Sequence, residues 1–194
     1  MMTYMYQIQT CGYKLLAVIF TGIALLLLII GVAAADWVDV KFTAVKDGWQ
    51  SWGLWEHCYV ITSSLTACVK KDWMSACAAL TLLALIGSVG ALGLGICGLC
   101  THKRLLYIIA GVLTALGALF ILISVIIFPV KFSEDITNAH RSDLERWDID
   151  WTYGVTLGGL FFLVGAAIFF FLKQENQEVS REKTSMPAYY NNSY

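Results

Sequence analysis

Gly53-Leu54-Trp55-Glu56-His57-Cys58 is the stretch on which the reading of this chain turns, with Trp37 ahead of it and Cys68 behind it. Two residues separate Trp55 from Cys58, and nine separate the two cysteines. The stretch lies in a hydrophilic loop, 36–73, between apolar segments at 15–35 and 74–99, and two further apolar segments follow at 105–128 and 152–172. None of the four holds Asp, Glu, Lys or Arg. A helix rising about 1.5 Å per residue needs about 20 apolar residues to cross the hydrocarbon core, so each segment is long enough. The 194 residues are 58% hydrophobic and 14% charged, with a mean hydropathy of +0.68. A soluble domain of this size cannot hide that much apolar surface. The expected fold class is a membrane protein, mainly α: one four-helix transmembrane bundle carrying a small extracellular antiparallel β-sheet.

A cleaved signal peptide is the rival reading of the first segment, because Ala33-Ala34-Ala35 has the small residues of a cleavage site. The apolar run is longer than the roughly 7–15 residues of a signal core, which favours a span. Net charge is −1, which gives no reason to expect nucleic acid as a partner.

Sidedness rests on cysteine chemistry more than on charge. The ends 1–14 and 173–194, with the short turn 100–104, hold six Lys and Arg, and the loops 36–73 and 129–151 hold seven. Eleven of the 14 carboxylates are in the two loops, but carboxylates contribute little to orientation. A disulfide between Cys58 and Cys68 lasts only in an oxidising compartment. Both loops are therefore read as extracellular, and both ends and the turn as cytoplasmic. Asn191-Asn192-Ser193 has the form of a glycosylation sequon that this topology keeps out of the lumen.

Within the first loop, Val38, Val40 and Phe42 alternate with Asp39, Lys41 and Thr43, the period of a half-buried strand. From Trp55 to Thr62 the chain is aromatic and β-branched, which also suits a strand. A hairpin turning at Thr62-Ser63-Ser64 sets Cys58 opposite Cys68, Tyr59 opposite Ala67 and Val60 opposite Thr66. The disulfide is then a cross-strand staple, and closing a ring of this size contributes roughly 3 kcal/mol. Trp37 and Trp73 flank the loop, and Trp147 and Trp151 lie at the end of the second loop. Tryptophan is at home at a membrane surface because its ring is apolar and its N–H is not.

This pattern, W…GLWxxC…C, resembles the signature of the claudin and peripheral-myelin-protein superfamily. The layout is similar over the whole chain, and the specific match is Trp37, Gly53, Leu54, Trp55, Cys58 and Cys68. The resemblance implies that Trp37, Leu54 and Trp55 seat an extracellular sheet on the bundle, that Gly53 permits close approach, and that Cys58–Cys68 locks it. The chain departs from the family in a shorter first loop. Lys70 and Lys71 stand near the usual arginine before the second span, and Tyr59 and Val69 replace the usual selectivity carboxylate. The end, Asn191-Asn192-Ser193-Tyr194, lacks the terminal valine offered to cytoplasmic scaffolds. The chain reads as a divergent member.

The spans carry no Asp, Glu, His, Lys or Arg, which argues against a transporter through the bundle. Gly87, Ala91 and Gly95, and Gly154 and Gly158, are spaced to let helices approach closely. Cys97 and Cys100 close the second span beside basic residues, as acylation sites do; claudins are similar here, and both are candidates for S-palmitoylation. Their spacing mimics half a metal site, but no second pair completes it. Cys11 is a lesser acylation candidate, and Cys77 reads as a small apolar core residue. His57, His102 and His140 are far apart, so no catalytic set, metal or cofactor is expected, and the chain is not read as an enzyme. In the second loop, Ser142-Asp143-Leu144-Glu145 fits a capping box and predicts a short helical turn. Phe132 and Ile136 are candidates for contact across the junction; the alternative is that they pack on the first-loop sheet.

The expected function is that of a claudin-like cell–cell junction protein of the plasma membrane. It would assemble with itself and related proteins in its own and the adjacent membrane, forming a paracellular barrier or selective pore. The alternative is an auxiliary subunit of an ion channel, like the calcium-channel gamma subunits, which share this layout but tend to have longer, glycosylated first loops. Tetraspanins do not fit, because they place their cysteines in the second loop.

Overall fold

The computed structural model describes residues 2–34, 36–42, 49–62, 65–101, 103–140 and 144–171. Its elements run α1 (Met2–Ala33), β1 (Val38–Phe42), β2 (Trp49–Trp52), β3 (His57–Thr62), β4 (Leu65–Val69), α2 (Asp72–Thr101), α3 (Arg104–His140), β5 (Leu144–Ile149) and α4 (Trp151–Phe171). All four helices contain stretches long and apolar enough to cross a membrane. The molecule is a mainly α membrane protein with one antiparallel sheet at one end of its bundle.

The helices form a closed ring, α1 packing on α2 and α4, and α3 on α2 and α4. Lipid is as apolar as leucine, so close packing has to hold such helices together, and small residues supply it here. Ala17, Ala24, Ala84, Ala91, Ala110 and Ala166 are fully buried. The Tyr107 ring sits on Gly98, where a Cβ would come within 2.9 Å of it. Of the expected small-residue stripes, Ala91 and Gly95 turn into the bundle, whereas nothing lies within 4 Å of a Cβ built at Gly154. Hydroxyls inside the bundle bond back one turn: Thr21 donates to Ala17 O, Thr81 to Cys77 O and Ser88 to Ala84 O. With no water in the bilayer core, such groups must find partners inside the protein.

Helix α1 begins at Met2, well before residue 15, and α3 runs beyond residue 128, through Pro129, to His140. A proline inside a helix removes one amide donor and orphans the carbonyl four residues earlier. That carbonyl is Val125 O, and the Tyr153 hydroxyl of α4 donates to it at 3.0 Å. The break is thus repaired from a neighbouring helix, and α3 stands proud of the bundle as a post.

The sheet has the order β4-β3-β2-β1-β5, and every neighbouring pair is antiparallel. Four strands come from the first loop, and β5, from the second, closes on the free side of β1. The helical turn expected from the capping-box pattern is therefore corrected: Leu144–Ile149 is a strand. Trp147 and Ile149 oppose Val40 and Val38, while Arg146 and Asp148 oppose Lys41 and Asp39. That is a period of two, and the unpaired edge of β1 satisfies the backbone that a helical turn would have satisfied internally. Ser142 and Asp143, the turn at Ser63 and Ser64, His102, and the chain from residue 172 onward with its sequon lie outside the described residues.

Candidate functional site

The site is the seam where the sheet meets the bundle, and it is built around Trp37. Helix α1 ends at Ala33, so its last carbonyls have no partner within the helix. Ile30 O accepts from the Ala34 amide at 2.9 Å. The next two are capped by tryptophans: Trp37 Nε1 donates to Gly31 O at 3.0 Å, and Trp55 Nε1 to Val32 O at 2.9 Å. The backbone of Trp37 extends the ladder on both sides, donating to Trp52 O and accepting from the Asp150 amide, each at 3.0 Å. Its ring lies 4.9 Å from Phe128 of α3 and 5.8 Å, edge to face, from Tyr153 of α4. One fully buried residue thus joins three helices, strand β2 and the residue that follows β5.

Gly53 and Leu54 make the turn that delivers Trp55. The Gly53 amide donates to Glu56 O at 3.1 Å, and Leu54 is driven into a core with Trp37, Val38, Val40, Trp52, Cys77, Ala78, Phe128, Phe132 and Ile136. Trp55 keeps 37% of its surface exposed, as a residue at a membrane surface can. The structure therefore brings together Trp37, Gly53, Leu54 and Trp55. The β3–β4 register sets Cys58 opposite Cys68, Tyr59 opposite Ala67 and Val60 opposite Thr66, with one irregularity before Thr62 meets Leu65.

Phe132 and Ile136 need correction as candidates for contact across a junction. Both are buried under the sheet, and Phe132 packs edge to face with Trp52 at 5.1 Å and with Trp147 at 5.7 Å. The post of α3 carries them beneath the strands, so the packing alternative holds. Cys97 and Cys100 lie far from this seam, as exposed free thiols near the other end of α2.

The family model described as PMP-22/EMP/MP20/Claudin tight junction matches residues 61–172, more than half of the chain. The chain belongs to this family. A Danio rerio relative named "p53 apoptosis effector related to PMP-22" is 30% identical over 119 residues, 60% of this chain and 61% of that one. The match thus covers less than two thirds of that relative's length. Of the signature residues in this PMP-22/claudin chain, only Cys68 falls inside the matched span; the others owe their grouping to the geometry just described.

Three residues of the family member's seam were not singled out from its sequence. Asp135, on the post, accepts from Lys71 Nζ and from Trp73 Nε1, each at 2.7 Å. It ties the start of α2 to α3. Burial pushes its carboxyl up, but the two hydrogen bonds and the charges of Lys71 and Lys131 outweigh that and hold it below the usual range. Its signal was weak: Asp135 sits seven residues after Phe128, two helical turns along one face, but only the full length of α3 makes that spacing meaningful. Trp52 hid in the alternation of Trp49-Gln50-Ser51-Trp52, and its ring lies under Lys71 Nζ, 5.6 Å from the ring centre. Tyr153 could be found only by asking what replaces the amide that Pro129 lacks.

On the other face of the sheet, Asp39 pairs across the ladder with Asp148. Burial, and then the charges of Asp150, Asp36 and Asp148, push the Asp39 carboxyl up. Arg146 Nε relieves Asp148 at 2.7 Å. Among the described residues, no group of three His, Cys, Asp or Glu side chains is placed to hold a metal ion.

Proposed function

We propose that this member of the PMP-22/claudin family is a cell–cell junction protein. It assembles with itself and with related proteins, side by side and across adjacent plasma membranes, to form a paracellular barrier or selective pore. The observation that carries the reading is the seat: a sheet drawn from both loops, fixed to the bundle by two tryptophan caps on α1. A surface held this firmly suits the repeated, shape-specific contacts of a sealing assembly. The sheet side faces outward and both chain ends face the cytoplasm. Cys58 and Cys68 form the staple; the β3–β4 register, which sets them opposite each other, supports this. Cys97 and Cys100 are S-palmitoylation sites, supported by their exposure near the other end of the bundle.

Expression in leaky epithelial cells tests the reading: transepithelial resistance and cell–cell adhesion rise, and the protein concentrates at apicolateral contacts. If neither property changes in cells that carry the protein at their surface, the reading is overturned. A second reading is favoured by the name of the Danio rerio relative, in which this scaffold acts in cell death and not as a seal. It requires loss of viability on expression at unchanged resistance.

A further inference from the structure

The sheet ends on one side at β5, and among the described residues no strand pairs with β5 beyond β1. Hydrogen bonding alternates along an antiparallel pair, and the Asp150 amide donates to Trp37 O. By that alternation and the register, Asp148 also bonds inward, to Asp39, whereas the N–H and C=O of Trp147 and Ile149 point away from the sheet. Their side chains share a face with Val40 and Val38 across the ladder, the face turned to the bundle. Val40 and Val38 are buried, but Trp147 is 37% and Ile149 50% exposed. The bundle therefore stops short beneath β5. Proline or lysine often guards an edge strand against pairing, and Trp147-Asp148-Ile149 has neither. On the opposite face, Arg146 and Asp148 form a largely exposed ion pair.

A second copy of the chain can complete such an edge with main-chain hydrogen bonds, and a two-fold axis makes the contact the same on both sides. Those bonds form only in registers that set outward-pointing residues opposite one another. Centring on Arg146 sets that residue against itself. Centring on Asp148 does the same for Asp148 and reaches past the end of the strand. Each places like charges directly opposite, which is destabilising. Centring on Trp147 sets each Arg146 opposite the other copy's Asp148, Trp147 opposite Trp147, and Ile149 opposite Glu145. We propose that two copies pair through their β5 strands, antiparallel and centred on Trp147, joining their two sheets into one. Antiparallel pairing keeps the same face of both sheets on one side, so both bundles lie beneath the joined sheet, as two copies in one membrane must. The proposal rests on the side-by-side assembly proposed above and names its surface.

The test is energy transfer between donor- and acceptor-labelled copies of the full chain in phosphatidylcholine vesicles. Wild-type copies associate. Arg146→Asp and Asp148→Arg each turn two attractive cross-strand pairs into repulsive ones, so each variant alone associates roughly tenfold more weakly. Mixed with each other, the two variants regain wild-type transfer, because every such pair is again of opposite sign. The ion pair within each chain stays broken in the mixture, so an effect confined to one chain is not rescued. Circular dichroism shows whether each variant is folded. If either is not, Trp147→Cys takes its place, in a chain with Cys11, Cys97 and Cys100 replaced by serine. Residues opposite each other in a hydrogen-bonded pair have Cα atoms about 5.5 Å apart, within disulfide reach, so mild oxidation gives a covalent dimer. Association that ignores the charges, a mixture no tighter than either variant alone, or no oxidised dimer overturns the β5 interface and leaves side-by-side assembly standing. No association of the wild type overturns both.

Discussion

A single nitrogen atom sets the cost of unseating the sheet. Trp37→Phe keeps most of the apolar ring but removes the N–H that caps Gly31 O, leaving a buried carbonyl unpaired. Such a loss costs about 1–3 kcal/mol, read as a lower melting temperature in detergent. Trp55→Phe, at a partly exposed position where water can replace the donor, costs about 1 kcal/mol or less. Tyr153→Phe strips the partner from Val125 O and costs about 1 kcal/mol. The reason is open to a double-mutant cycle: Pro129→Ala restores the amide, so the Tyr153→Phe penalty shrinks in that background. Two carboxylates respond to pH with opposite signs. Asp39 holds its proton more tightly folded than unfolded, so its contribution is present below pH 3.8 and is lost as pH rises through the raised value. Asp39→Asn therefore raises the stability at neutral pH by no more than about 1 kcal/mol of like-charge relief, read as a higher melting temperature, and the gain fades towards pH 3.8. Asp135 is depressed, so its contribution is present above pH 3.8 and fails as pH falls through the lower folded value. Asp135→Asn lowers stability at neutral pH, and the loss diminishes in strong acid.

At the scale of elements, the β3–β4 hairpin was legible because aromatic and β-branched residues and two cysteines nine residues apart agreed on one register. Removing the proposed staple with Cys68→Ser costs roughly 3 kcal/mol, and reductant should bring the wild type down to the same melting temperature. If reductant leaves the wild type unchanged, Cys58 and Cys68 are not the staple. Strand β5 was misread because its first residues also satisfy a local helical pattern, and a local pattern cannot reveal that β1 has an open edge waiting. The extent of α3 was hidden by charge: hydropathy stops at the membrane surface, but the helix continues through Lys131, Glu134 and Asp135, where Lys131 and Glu134 pair at 2.7 Å. Asp135 and Tyr153 could not be placed in the seam for the same reason, since both earn their roles from contacts between helices distant in sequence. The four spans were plain, because a run of apolar residues needs no partner to be recognised.

At the scale of the molecule, sheet and bundle are separable in composition and inseparable in structure. Replacing Trp37 and Trp55 together by alanine should leave the four helices assembled, with near-normal helical circular dichroism in detergent, and should abolish the rise in transepithelial resistance expected of the wild type under the proposed barrier role. If resistance still rises, the seat is not what the sealing surface depends on. The junctions themselves carry a further consequence. Only three residues lie between α1 and Trp37, and only Asp150 lies between β5 and α4. With joints this short and two indoles pinned to the end of α1, the sheet has no swivel. Its compass bearing is inherited from the helices, so the curvature of any row that these molecules form is dictated by how their helices stand beside one another in the lipid.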